Sequence, residues 1–257
     1  MDVGSGLVAT AGSDSCAFIY RTGEKEPHLQ EGLLMIRSDL PIRAVSISSD
    51  EKLLAIGSES MLISVISIDD PTGGRKDASP GEHRRPISSL AFDPNGEYLA
   101  SIDLSGQLIV WELASLKLVD KTSIHVPSKY WPKVSWSPNG QLLAVTGEDS
   151  IRLIRRGEWT TSRHLSAHIP TDISWSKDGS ILVSYDESSL TLWNWRDGKV
   201  WRELKHGLKV DCMALSPNAL DLAFIDKEGV LHHQKSFLSP SDLASLPLVS
   251  PDDKKRR

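Results

Sequence analysis

KVSWSPNGQLLAVTGEDSIRLIRRGEW, residues 133–159, consists of short apolar runs separated by turn chemistry. Residues 133–136 end on an aromatic, Trp136. Ser137-Pro138-Asn139-Gly140 follows; proline presets φ, and Asn-Gly accepts positive φ. Residues 142–146 are a second apolar run, residues 147–150 turn again, and residues 151–154 read as a third strand that sets basic against apolar side chains. One such hairpin set is marginal alone. Its weight comes from repetition.

The same first turn closes an apolar run at five places. They are Ile47-Ser48-Ser49-Asp50, Phe92-Asp93-Pro94-Asn95-Gly96, Trp136-Ser137-Pro138-Asn139-Gly140, Trp175-Ser176-Lys177-Asp178-Gly179 and Leu215-Ser216-Pro217-Asn218. The residues after the anchors, 48, 93, 137, 176 and 216, lie 45, 44, 39 and 40 apart. Each turn precedes another apolar run, at residues 53–56, 98–101, 142–145, 181–184 and 222–225. A period of about 40–45 residues with four strands per unit marks WD40 propeller blades. The expected fold is all-β, a WD40-type β-propeller with about six recognisable blades.

Composition agrees. The chain has 257 residues, 39% apolar and 25% charged, the balance of an ordinary globular protein. A net charge of −5 gives no global pull towards nucleic acid. The two cysteines, Cys16 and Cys212, fall inside apparent strands, which suits buried free thiols in a reducing compartment better than a disulfide framework. No apolar run approaches about 18 residues and no signal-peptide pattern follows Met1, so nothing marks a membrane or secretion.

In chain order, residues 7–11 and 16–20 read as the second and third strands of a first unit, with the turn at 12–15. Spaced like the others, this unit would place its first turn near residue 4 and its first strand before Met1. The first blade is therefore expected to be incomplete, with N-terminal sequence missing. Residues 33–36 suit an outer strand, and the second unit covers 42–68. Residues 69–86, DDPTGGRKDASPGEHRRP, read as a long loop whose Pro, Gly and charge exclude regular structure. The third unit covers 87–124, the fourth 133 to about 165, the fifth 171–204 and the sixth 209 to about 237. This gives one propeller domain, 1–237, and a polar tail, 238–257, ending in Lys254-Lys255-Arg256-Arg257, a candidate nuclear import signal.

Several stretches are similar to one family in blade order. They are AFDPNGEYLASIDLSGQLIVWEL (91–113), SIRLIRRGEW (150–159), DISWSKDG (172–179), LKHGLKVDCMALSP (204–217) and IDKEGVL (225–231). They resemble the amino-terminal propeller of the replisome adaptors, the WD repeat and HMG-box DNA-binding proteins, called chromosome transmission fidelity proteins in yeasts. The resemblance covers most of residues 1–237, and the Arg155-Arg156-Gly157-Glu158-Trp159 run is its most specific part. It implies a nuclear, non-enzymatic scaffold that links the replicative helicase to DNA polymerase α–primase on chromatin, without a cofactor. The family's propeller has seven blades. A second propeller with a trimerising region follows it, and animal members end in an HMG box. This sequence shows an incomplete first blade, no trimerising region and no HMG box, so those partner contacts do not carry over to its residues. A scaffold subunit of another WD40 complex, in RNA processing or ubiquitin ligation, is the competing class.

Catalysis finds no motif: there is no G-x-S-x-G elbow, no phosphate-cradling loop and no H-E-x-x-H. Ser13, Asp14 and Ser15 are turn residues. His232 and His233 are adjacent in a strand, so they point to opposite faces and cannot share a metal from there. Trp111 and Trp193 end third strands and Trp136 and Trp175 end first strands, where large aromatics fill space between blades. Full WD40 units join a loop His, a strand Ser, a turn Asp and a strand Trp by hydrogen bonds. The third unit offers His83, Ser101 and Trp111, with Ser105 where the acid is expected; the fifth offers His168, Ser184, Glu187 and Trp193. Incomplete sets are expected to weaken their blades.

Binding is the better expectation. Loops entering each first strand share one rim of a propeller. They carry Arg43, His83-Arg84-Arg85, Lys129-Tyr130-Trp131, His168, and Lys205-His206 with Lys209. Arginine mixed with aromatics suits an acidic peptide or single-stranded nucleic acid, through charge and stacking.

Overall fold

The computed structural model describes residues 2–3, 6–21, 34–71, 74–78, 81–127, 130–167, 169–186, 189–205, 210–215, 222–226, 228 and 230–234. Their regular elements are strands, arranged in six antiparallel meanders, five of four strands and one of three. The first sheet holds β1 (Asp2–Val3), β2 (Leu7–Ala11), β3 (Cys16–Arg21) and β4 (Leu34–Arg37). The second holds β5 (Ile42–Ile47), β6 (Leu53–Ser58), β7 (Ile63–Ser67) and β8 (Lys76–Asp77). The third holds β9 (Ile87–Phe92), β10 (Tyr98–Asp103), β11 (Gln107–Glu112) and β12 (Lys117–Ser123). The fourth holds β13 (Val134–Trp136), β14 (Leu142–Thr146), β15 (Ser150–Arg155) and β16 (Thr161–Ser166). The fifth holds β17 (Asp172–Trp175), β18 (Leu182–Tyr185), β19 (Ser189–Asn194) and β20 (Lys199–Lys205). The sixth holds β21 (Val210–Leu215), β22 (Leu222–Asp226) and β23 (Leu231–Gln234).

The repeated turn has the same bonding wherever it is described. Gly140 N–H donates to Ser137 O (2.8 Å), Gly96 N–H to Asp93 O (2.9 Å) and Gly179 N–H to Ser176 O (2.8 Å). All three glycines have positive φ, between 67° and 73°. In the second sheet Glu51 adopts φ 58° at the equivalent place, and its carboxylate accepts from Gly6 N–H (2.6 Å). The RRGEW run is a turn of another kind. Trp159 N–H donates to Arg155 O (2.9 Å), Arg156 donates to Gly140 O (3.2 Å), and Trp159 packs edge-on against Trp136 at 6.2 Å.

The chain forms two compact units, Met1–Val134 and Ser135–Arg257. Within each unit neighbouring sheets bury their apolar faces together. Leu7, Ala9 and Ile19 of the first sheet pack with Ile42, Leu54 and Ile56 of the second. Ala55, Ile63 and Val65 of the second pack with Leu90, Leu99 and Trp111 of the third. In the other unit Ala144 and Leu153 meet Ile173, Trp175 and Trp193. Trp111, Trp175 and Trp193 thus pack between sheets as expected, while Trp136 meets Trp159. Cys16 is a buried free thiol.

Two expectations are revised. The first sheet was expected to lack its first strand, but it has four strands, and β1 is a short two-residue strand paired Asp2↔Ala9. Asp2 Oδ2 fixes it by accepting from Ile47 N–H (2.7 Å) and Ser46 Oγ (3.1 Å). The stretch 69–86 is not loop throughout. Lys76–Asp77 pairs with β7 as an edge strand, where both side chains face water and only one ladder is needed. The tail, 238–257, lies outside the described residues.

Three sheets share an irregularity. Where the outer strand pairs with its neighbour, the register shifts between Val110 and Trp111, between Leu153 and Ile154, and between Leu192 and Trp193.

Candidate functional site

The third sheet contains a buried polar relay. Trp111 Nε1–H donates to Ser101 Oγ (2.8 Å), and Ser101 Oγ lies 2.6 Å from His83 Nε2. His83 Nδ1 lies 3.2 Å from Asp103 Oδ2. All four residues are buried. Trp111 donates to Ser101, and His83 Nδ1–H donates to the Asp103 carboxylate, which can only accept; the Ser101 hydroxyl faces both His83 Nε2 and Ile109 O, the latter at 3.4 Å. The acid expected at Ser105 is Asp103, at the end of β10. The set is complete, contrary to the expectation of a missing member. His83, placed on the rim by its loop position, is instead inside.

Asp103 also ties down the loops above it. It accepts from Arg84 N–H (3.2 Å), Ser105 N–H (2.8 Å), Ser105 Oγ (2.5 Å) and Gln107 N–H (3.1 Å). Burial pushes its carboxyl up, but the hydrogen bonds from His83, Ser105 and the Ser105 and Gln107 amides outweigh that and hold it at about 2. Leu104 N–H donates to Pro86 O (3.0 Å) and Ile124 N–H to Gly106 O (2.8 Å). Gly106 has φ 79°, and a Cβ there would come within 2.0 Å of Ile124 O. No other residue fits this turn without moving the 124–127 segment.

These ties surround a cavity of about 610 Å³. It is lined by the half-buried Leu104, Val126 and Pro127 and the buried Tyr130, with the exposed Arg85, Ser105 and Trp131 towards solvent. Trp131 is 43% exposed, and the Arg43 guanidinium lies over its ring, 5.6 Å from the centroid. Arg43 is itself held by Glu59, its Nε 2.7 Å from the carboxylate. Arg84 and Arg85 make no ion pair among the described residues; the nearby Glu82 is taken by Lys121 at 3.0 Å.

The sequence-derived residues therefore divide. Arg43, Arg84, Arg85, Tyr130 and Trp131 lie in one unit, with Arg43, Arg85, Tyr130 and Trp131 at or beside one cavity. Tyr130 is buried, so it offers no stacking face to a partner. Lys205 ends β20 in the other unit, exposed. Lys129, His168, His206 and Lys209 lie outside the described residues. Leu104, Val126 and Pro127 were missed because they sit in turns without strand periodicity. In the fifth sheet Trp193 Nε1–H donates to Ser184 Oγ (2.8 Å), while His168 and Glu187 are not described. Asp186, two residues after Ser184 as Asp103 is after Ser101, accepts from Ser189 N–H (2.8 Å).

Four-stranded meanders packed face to face, with a buried Trp–Ser–His–Asp relay, define a WD40 repeat protein of the β-propeller class. The family model of the WDHD1 first WD40 domain matches residues 2–233, and the chain belongs to that family. It is 26% identical over 260 residues to WD repeat and HMG-box DNA-binding protein 1 of Homo sapiens, covering 96% of this chain and 22% of that protein. It is 30% identical over 169 residues to the Mus musculus protein of the same name, covering 63% of this chain and 14% of that protein. It is 25% identical over 274 residues to minichromosome loss protein 1 of Schizosaccharomyces pombe, covering 99% of this chain and 32% of that protein. The chain thus spans a third or less of the length of these curated relatives.

Proposed function

We propose that this domain is a non-catalytic protein-interaction scaffold of the nuclear DNA replication machinery, linking the replicative helicase and DNA polymerase α–primase on chromatin. The observation that supports this reading is the family match across residues 2–233. The names of the relatives, which refer to DNA binding and to minichromosome loss, agree with it. Such work needs surfaces rather than a reaction centre. We assign the partner-contacting surface to Arg43, Arg84, Arg85, Tyr130 and Trp131, of which Tyr130 lines the cavity, with Lys205 as a contact on the other unit. Lys129, His168, His206 and Lys209 join the assignment on sequence grounds. Contact with DNA is weak in this reading, because the net charge is −5.

The test is affinity purification of the tagged full chain from nuclease-treated nuclei of replicating cells. Subunits of polymerase α–primase and of the replicative helicase are expected in the eluate. Their absence, with components of an RNA-processing complex or a ubiquitin ligase in their place, overturns the reading.

A further inference from the structure

The cavity beside Trp131 has a chemistry of its own. Its mouth carries the Arg85 guanidinium, with Arg84 next to it, and neither has a carboxylate partner among the described residues. Its lining sets the apolar side chains of Leu104, Val126 and Tyr130 beside these polar groups. Its volume, about 610 Å³, suits side chains and backbone of a short segment rather than a single ion. Its walls are fixed before any ligand arrives, because Asp103 holds both the Arg84 amide and the Ser105 turn. Preorganised walls reduce the ordering cost of binding.

We propose that this cavity binds a short acidic peptide segment, in which an Asp or Glu pairs with Arg85 and Arg84 and an adjacent aliphatic or aromatic side chain enters between Leu104, Val126 and Tyr130. The inference rests on the scaffold reading and describes the chemistry of the partner it would hold. Trp131 lines the cavity and covers the apolar residue, and Arg43, lying over the indole ring, helps keep it in place. A carboxylate and a guanidinium can meet in two parallel hydrogen bonds, which gives direction as well as charge. Single-stranded nucleic acid fits less well. It calls for a track of cations and free aromatic faces, whereas one face of Trp131 faces Arg43 and Arg43 is neutralised by Glu59.

The experiment is fluorescence anisotropy of the full chain with a labelled peptide that joins an Asp-Glu run to Leu-Phe. Controls are the same peptide with the acids changed to amides, and with Leu-Phe changed to Ser-Ser. Binding is expected for the first peptide and weaker by about tenfold or more for each control. Arg85→Glu and Trp131→Ala are expected to lower affinity by about tenfold each, and Lys117→Glu, on an outer strand, to leave it unchanged. The substituted side chains are exposed, so the thermal midpoint stays near that of the parent, and Arg85→Ala serves as a second, milder variant. Absence of peptide binding overturns the proposal, as does binding that ignores Arg85 and Trp131. Tighter binding of an oligothymidine strand, lost in the same variants, overturns it in favour of nucleic acid. Peptide failure with replication proteins still co-purifying sinks this inference alone. Peptide binding without co-purification sinks the scaffold reading alone.

Discussion

The third and fourth sheets solve the same packing problem with opposite chemistry. In the third, Leu99 pairs with Trp111 across the ladder, and in the fourth Leu143 pairs with Ile154. In that register Ser101 is matched by Val145, Asp103 by Gly147 and Trp111 by Ile154. Val145 and Ile154 are buried. Where one sheet runs a hydrogen-bonded chain through its interior, the other has the apolar Val145 and Ile154 at the matching positions. Burying polar groups gives little net stability over a well-packed apolar core. The relay instead reaches outward: Asp103 grips three backbone amides of the loops above it. The fourth sheet's turn closes on itself, Gly147 N–H to Ser150 O at 2.9 Å. Both sheets are filled; one of them also positions a cavity.

That contrast can be broken by substitution. Trp111→Ala removes the largest buried side chain of the relay and the indole donor to Ser101; it is expected to cost about 3–5 kcal/mol in urea unfolding. Asp103→Ala leaves five donors without their acceptor and is expected to cost roughly 3 kcal/mol and to weaken the acidic peptide as well. The triple change Ser101→Val, Asp103→Gly and Trp111→Ile gives the third sheet the residues of the fourth. It is expected to cost less than the sum of its single changes, since the singles disrupt one shared network, yet to leave buried His83 without its two ring partners and to lose the peptide. Equal sums would show that the four groups act independently.

Acid sharpens the comparison. The Asp103 carboxyl is depressed from 3.8 to about 2 in the fold. Its contribution, on the order of 2 kcal/mol, is present above about pH 4 and is lost as pH falls through the folded value. The stability gap between the parent and Asp103→Asn is therefore expected to shrink between pH 5 and pH 2, read from denaturation at each pH. A gap that stays constant removes the carboxylate from the account. The smallest effect is at the surface. Glu59→Gln releases Arg43 and is expected to change stability by less than about 1 kcal/mol while raising acidic-peptide affinity modestly.

The repeat was legible because its turns depend on local chemistry: Asn139-Gly140 and Asp178-Gly179 announce positive φ whatever surrounds them. The relay was half legible. His83, Ser101 and Trp111 stood out, but the acid was sought inside the turn, at Ser105, when it ends the strand. A recurring Ser-x-Asp, at Ser101–Asp103 and Ser184–Asp186, was the available signal. Strands β1 and β8 escaped because two-residue strands carry no periodicity. Tyr130 and Trp131 are adjacent and aromatic, yet one is buried and the other 43% exposed. Outside a strand no alternation tells them apart, and only the close approach of residues 104–106 to 124–127 decides it.

The shifted register at the outer strands has a further consequence. β12, β16 and β20 each end a sheet and leave one row of amides and carbonyls facing outward. Such a row can template a strand from another molecule. The extra residue twists each flank out of flatness just beside Trp111, Ile154 and Trp193. Lys117, Lys121, Arg163, Lys199 and Lys205 add like charge along those flanks. Bent edges with an excess of basic over acidic side chains are poor templates for a second copy, so the bulges beside Trp111, Ile154 and Trp193 also act against edge-to-edge pairing.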